Sequence, residues 1–189
     1  MELIKENALL ENLQSVFQLK SGEVKRVHRV EIEVEKKDVV PLLLYVKEKL
    51  GYKHLSHITC VDWLEDGKFE LVYMPWSHQE RILIMVRVSI ERENPEMDNI
   101  DMIWRQANTY QREFREMYGI QFPGFVGDQD FILEDWDEIP PMRRDFDTEA
   151  YVKDHFFERA GREDAKDVRE EIAKRSGVDI PDFAKKYSR

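Results

Sequence analysis

Two stretches of this chain carry the residue types from which a reactive or recognition site could be built. Asp128, Asp130, Glu134, Asp135, Asp137 and Glu138 crowd one short segment. Carboxylates at that density can bind a hard cation or divide into a general acid and a general base. The segment lacks the Gly and terminal Glu at the fixed spacing of a calcium loop. Trp136 and the Pro140-Pro141 pair give it the character of a rigid adhesive strip within a solvated acidic loop, because aromatics are enriched where proteins meet. The second stretch is QREFREMYGIQF, Gln111 to Phe122, in which Arg112, Glu113, Arg115 and Glu116 stand among Phe114, Met117 and Tyr118. On a helix Arg112 and Glu116 share a face. They form either an exposed pair worth about 0.2–0.5 kcal/mol or charge-assisted bonds to a packed neighbour. Farther on, Arg143-Arg144-Asp145-Phe146 sets two guanidiniums beside an aromatic, which suits carboxylate pairing or ring stacking at an interface.

Other chemistries find no support. Neither G-x-G-x-x-G nor G-x-x-x-x-G-K-[ST] occurs, and Gly124-Phe125-Val126-Gly127 is in the wrong context to cradle phosphate. His54 and His57 are three apart, which on a regular strand puts them on opposite faces. Ser56-His57 and Ser77-His78 are sequence neighbours, unlike a nucleophile meeting its base. The single cysteine, Cys60, allows no internal disulfide and excludes a cluster or zinc site built from this chain's own thiolates. A formal net charge of −10 argues against nucleic-acid binding and against docking on anionic lipid. The apolar run Val39 to Val46 is far shorter than the roughly 20 residues of a membrane span. The N-terminal MELIKENALLENL has acidic residues where a signal peptide is basic and then apolar. These features imply a soluble intracellular protein, and the charge-rich, Cys-poor composition leans towards a thermophilic source.

The elements that would position these residues follow from periodicity. Leu3, Leu9, Leu10, Leu13, Val16 and Phe17 form a helical stripe ending before Ser21-Gly22. From His28 to Glu35 the period becomes two, with Val30, Ile32 and Val34 on one face. Asp38 offers an N-cap, with Pro41 in the first turn of a helix running to Leu50 and stopped by Gly51. Strands are predicted over His54 to Trp63, Phe69 to Trp76 and Arg81 to Ile90. A long helix starts near Asp98 or Asn99, carries the stripe Ile100, Ile103, Trp104, Ala107, Tyr110, Phe114, Met117 and Tyr118, and ends at Gly119 in a left-handed cap. The order α-β-α-β-β-β-α describes an α+β domain over 1–122, a small mixed or antiparallel sheet covered by helices. Residues 123–189 read as an extended, partly helical extension wrapping a partner subunit. Short helices are expected near 148–159, 163–175 and 181–187, with apolar faces too narrow for the tail to fold alone.

The stretch NTYQREFREMYGIQF resembles the signature of the 30 kDa subunit of respiratory complex I, which reads roughly E-R-E-x-x-D-M-F-G-I-x-F. Arg112, Glu113, Met117, Gly119, Ile120 and Phe122 match it, with Glu116 for Asp, Tyr118 for Phe and Gln111 for Glu. Upstream, HLSHITCVDW is similar to the family's L-x-D-L-T-A-V-D strand, and NIDMIWRQAN to its helix start. Downstream, PPMRRDF is similar to H-P-L-R-K-D-Y. After the Gly-Ile-x-Phe step, complex I members usually carry G-H-P-D-L-R-R-I-L. This chain has PGFVGDQDFIL, without that His or the paired Arg, so the loop towards the partner is rebuilt. That departure resembles the relatives in energy-converting, membrane-bound [NiFe] hydrogenases.

The resemblance implies a subunit without a cofactor or catalytic centre of its own. It sits on the large subunit that bears the nickel–iron site or lines the quinone cavity. The [NiFe] centre and Fe–S clusters are ligated by other chains, including a small Fe–S subunit. Attachment is peripheral, on the cytoplasmic face of the membrane and through other subunits, with no nucleic acid involved. The first reading is therefore a structural subunit of a hydrogen-evolving, ion-translocating hydrogenase, with interface residues Arg112, Glu113, Glu116, Met117, Tyr118, Gly119, Ile120, Phe122, Trp136, Arg143, Arg144 and Asp145. The alternatives are the same subunit in an NADH-, F(420)H(2)- or ferredoxin-linked quinone reductase or a sulfur-reducing relative, and, remotely, a free-standing metal-dependent hydrolase using the acidic loop.

Overall fold

A computed structural model describes residues 3–125 and 130–156, together with Gly177. Two compact units divide the chain, Met1–Phe146 and Asp147–Arg189. The first contains α1 (Ile4–Val16), β1 (Ser21–Arg26), β2 (Arg29–Glu33), α2 (Lys36–Glu48), β3 (His54–Trp63), β4 (Lys68–Ser77), β5 (Ile82–Glu91) and α3 (Ala107–Tyr118). The second contains α4 (Thr148–His155), capped by Asp147, whose carboxylate accepts from the amides of Glu149 and Ala150. The expected helices at 163–175 and 181–187 lie outside the described residues.

The α+β architecture agrees with the sequence reading, and the sheet is mixed. Its order is β1-β2-β5-β4-β3, with β2 and β5 parallel and the other pairs antiparallel. Cross-strand register fixes the faces. Val30 lies opposite Ile84, Ile32 opposite Val86, Val88 opposite Leu71 and Ile90 opposite Phe69. These side chains are buried with Leu13 of α1 and Val39, Leu42, Leu43 and Val46 of α2. Each such aliphatic contributes about 1.5–3 kcal/mol relative to exposure. Strand β1 is not apparent from periodicity. It is an edge strand with a single apolar residue, Val24, paired to Val30, and it is held by packing instead. A side chain at Gly22 would meet the Leu10 methyl of α1 at 2.8 Å, so glycine lets this edge approach the helix.

Three further expectations are corrected. Helix α2 begins at Lys36 with Glu35 in the capping position. Asp38 is therefore in the first turn, and Pro41 lies beyond that turn, inside the helix. The long C-terminal helix begins at Ala107 rather than near residue 98. Gln111, buried within it, accepts from the Ile100 amide at 3.0 Å and donates to the Asn99 side chain at 2.8 Å, and the chain before the helix is irregular, with turns at 101–103 and 105–106. Ile100, Ile103 and Trp104 are still buried, so the apolar stripe is real although its first half is not helical. Finally, the register shift between Leu55 and His57 puts His54 opposite Trp76 and His57 opposite Met74, on one face rather than two. His57 then meets the Tyr110 hydroxyl and His54 the His78 ring.

The outer edge of β3 is closed by side chains from the segment leading into and through α3. Trp104 donates to the Lys53 carbonyl, Gln106 to that of Leu55 and Tyr118 to that of Cys60. These contacts blunt an edge otherwise open to pairing. On the sheet face away from the apolar rows, polar contacts cross all five strands. Trp63 donates to Glu70, Arg87 bridges Glu70 and Glu31, and Lys25 approaches Glu31 and Glu23.

Candidate partner interface

Beyond the left-handed cap at Gly119, Ile120 and Phe122 return to the core. Residues 130–146 then run back over the body as a strap, inside the compact unit that ends at Phe146 rather than beyond a boundary at 122. Both ends of the strap are tied by charged groups.

At the first end, Glu116 of α3 accepts from three consecutive amides, those of Phe131, Ile132 and Leu133, at 2.5, 2.9 and 2.9 Å. One turn earlier, Arg112 donates to the Asp130 carbonyl at 2.6 Å and lies over the Phe131 ring, its Cζ 5.7 Å from the centroid. Both residues are thus engaged with the strap, and the simple exposed-pair reading does not describe them. The Met117 carbonyl accepts from the Met142 amide at 3.0 Å. Glu113 is half-buried on the same helix. Gly119 (φ +79°) supports the strap directly, since a Cβ there would meet Pro140 at 3.3 Å.

At the second end, Arg92 donates to both Asp62 oxygens, at 2.8 and 3.1 Å, and to Asp145 at 2.6 Å. The Arg144 amide also donates to Asp62, at 2.9 Å, while the Arg144 side chain reaches Glu65 at 2.6 Å. Arg92 and Arg143 both face the Phe69 ring, each 5.6 Å from its centroid. Burial alone would push Asp62 up; the Arg92 guanidinium and the Arg144 amide outweigh it and hold the carboxyl below its ordinary value. The Arg92 bond holds Asp145 down likewise. Tyr118, packed edge-on to Phe69, has its hydroxyl pushed up to about 12 by burial. Burial also pushes the Cys60 thiol up, which keeps it protonated and unreactive.

The structure therefore joins Arg112, Glu116, Met117, Gly119 and Arg143–Asp145 to one strap. Trp136 caps the strap's own carbonyls at Glu138 and Ile139 and packs on Phe146. Sequence reasoning missed Asp62, Glu65, Phe69 and Arg92, the body's half of the second anchor. The signal was present. The inward period of β3 runs Ile58, Cys60, Asp62 and that of β5 runs Val88, Ile90, Arg92, each extending one step onto a charge that burial obliges to find a partner. In contrast to these inward bonds, the strap turns apolar side chains outward: Ile132 is 68% exposed, Met142 54% and Ile139 47%.

The family model described as respiratory-chain NADH dehydrogenase, 30 kDa subunit, matches residues 32–152, which include the whole strap. The chain belongs to that family. Among relatives of this 30 kDa subunit, one from the NADH-quinone oxidoreductase of Moorella thermoacetica is 32% identical over 108 residues, covering 57% of this chain and 73% of the relative. Another, from the F(420)H(2) dehydrogenase of Methanosarcina mazei, is 27% identical over 124 residues, covering 63% and 76%. Among solved structures, a chain of the membrane-bound sulfane sulfur reductase, an archaeal respiratory membrane complex, superimposes with a TM-score of 0.69 at 27% identity, over 82% of this chain and 96% of that one. A trypsin-resistant fragment of Nqo5 shares the fold, with a TM-score of 0.52 at 19% identity over 67% and 99%. Among the described residues no helix is long and apolar enough to cross a membrane.

Proposed function

We propose that this chain is a cofactor-free structural subunit of a membrane-bound, multi-subunit oxidoreductase, and that the strap docks it on the large catalytic subunit. One observation carries the reading. The strap's backbone groups and the Asp145 carboxylate bond inward to Glu116, Arg112, Asp62 and Arg92, while Ile132, Ile139 and Met142 face out. A segment tied down in this way that still presents three large apolar side chains to solvent suits an interface, which needs an apolar centre. Redox chemistry then resides on the partners, with the [NiFe] centre and Fe–S clusters on the large and small subunits, and the assembly lies at the cytoplasmic side of the membrane.

The assembly proposed is an energy-converting [NiFe] hydrogenase, on the strength of the rebuilt loop after Phe122. A sulfur-reducing complex is a second reading, favoured by the likeness to the sulfane sulfur reductase chain. Purifying the native assembly tests both levels. Ile132→Asp and Met142→Asp are expected to reduce recovery of the large subunit with a normally folded chain, and unchanged recovery refutes the docking role. Stoichiometric nickel with hydrogen evolution supports the hydrogenase, while reduction of sulfane sulfur without nickel supports the second reading.

A further inference from the structure

The strap's outward face has a chemical character as well as a place, and that character defines its partner. Within 130–138, Asp130, Glu134, Asp135, Asp137 and Glu138 are all exposed. Among the described residues none of their carboxylates has an ion-pair partner. The strap's basic residues offer no relief: Arg143 lies against Phe69 and Asp145, and Arg144 is committed to Glu65. Half of the formal excess of −10 is thus concentrated in nine residues, around Ile132 and beside Ile139 and Met142.

We infer that the strap recognises a protein surface with an apolar floor and a rim of lysines and arginines. The inference rests on the docking reading above and adds the chemistry of the counter-surface. Charge complementarity supplies the argument. Carboxylates crowded in one short segment repel one another in the free chain. A basic rim relieves that repulsion as it closes, and the field it meets steers the encounter. The exposed apolar side chains then supply the desolvated centre that rim charges surround. An acidic strip with no apolar centre would suit a diffuse counter-ion cloud, and an apolar strip with no charge would suit self-association. The combination selects a basic-rimmed apolar groove and disfavours a second copy of this acidic chain.

The test uses the full chain assembled with its partner subunits. One variant carries Asp130→Asn, Glu134→Gln, Asp135→Asn, Asp137→Asn and Glu138→Gln together. Another carries Ile132→Ser, Ile139→Ser and Met142→Ser. Affinity for the partner subunits is measured between about 0.05 and 0.5 M salt, a range that collapses the screening length. Wild-type affinity is expected to fall steeply with salt. The carboxamide variant should bind about tenfold more weakly at low salt and respond little to added salt. The serine variant should bind weakly throughout while keeping the wild-type salt response. A carboxamide variant that retains the wild-type affinity and salt response overturns the basic rim; if the serine variant is still weakened, the docking reading survives alone. If neither variant differs from wild type, both readings fall. Thermal unfolding of each free variant checks that it is folded, which is expected because all eight side chains are exposed.

Discussion

Replacing Arg92 with Met removes the charge at the centre of the strap's second anchor and keeps much of its stem. In the native chain the guanidinium makes three hydrogen bonds, to both oxygens of Asp62 and one of Asp145. The Asp62 side chain is 2% exposed and that of Arg92 10%, so the substitution strands a carboxylate away from water. Breaking a buried pair by removing one member costs about 3–5 kcal/mol. The lower figure, about 3 kcal/mol, applies here because the Arg144 amide still donates to Asp62. For a chain of this size that corresponds to a fall in Tm of about 6–12 °C. The pH response should change sign. In the native chain Asp62 and Asp145 lie below their ordinary values. Their contribution is present above about pH 4 and is lost as pH falls through the folded values. Without Arg92, burial becomes the dominant influence and pushes Asp62 up. The variant's penalty is then greatest near neutrality and shrinks as protons are supplied. Thermal unfolding at about pH 7 and pH 5 should therefore show the gap between variant and wild type narrowing at the lower pH. The double variant Asp62→Asn with Arg92→Met should recover most of the loss, since no buried charge remains. A single variant within about 2 °C of wild type at neutral pH, or a gap that widens on acidification, refutes the reasoning.

Glu116→Gln keeps the shape of the first anchor but leaves one acceptor oxygen for three amides. Exchange at Phe131, Ile132 and Leu133 should quicken by one to two orders of magnitude, reflecting about 1–3 kcal/mol, while exchange in β4 and β5 is unchanged; uniform quickening would mean that Glu116 supports the body instead. Gly119→Ala combines a left-handed backbone with a Cβ 3.3 Å from Pro140, so stability should fall by about 1–3 kcal/mol, read by denaturant midpoint, and a neutral result contradicts the cap. Cys60 should resist alkylation at about pH 8 in the folded chain and react fully on denaturation, because burial keeps its thiol protonated; rapid labelling of the native protein would count against that.

The sheet was legible wherever apolar side chains alternated. Val30, Ile32 and Val34, and the series from Ile82 to Ile90, are inward residues in the structure, and β3 spans the predicted His54 to Trp63. Strand β1 escaped because this edge strand only partly buries one apolar side chain, Val24, and draws its order from its neighbour's backbone, a contribution that composition does not record. The start of α3 escaped for a different reason. Burial of Ile100, Ile103 and Trp104 imposes helix-like spacing, yet the Gln111 side chain claims the Ile100 amide and favours turns. Of the candidate site, the residues were largely legible and the partners were not. Arg143, Arg144 and Asp145 stood out as a basic patch in an acidic chain, but their contacts with Phe69, Asp62 and Arg92 join sequence positions more than fifty apart, a separation that only the folded sheet closes.

A buried cluster such as Asp62–Arg92–Asp145 is a poor device for raw stability, because desolvating the ions offsets much of their attraction. Its position explains its use better than its energy does. With Glu116 at one end and this cluster at the other, residues 130–146 are tied to the body at both ends by contacts within the chain itself. Ordering a free segment of that length would cost about 1–2 kcal/mol per residue in backbone entropy alone, set against the energy of binding. Here that cost falls within folding, so in the docking proposed above the outward side chains of Ile132, Ile139 and Met142 would already be placed when they meet a counter-surface. Arg112, Glu116 and the Arg143–Asp145 group therefore act by fixing the geometry of apolar side chains.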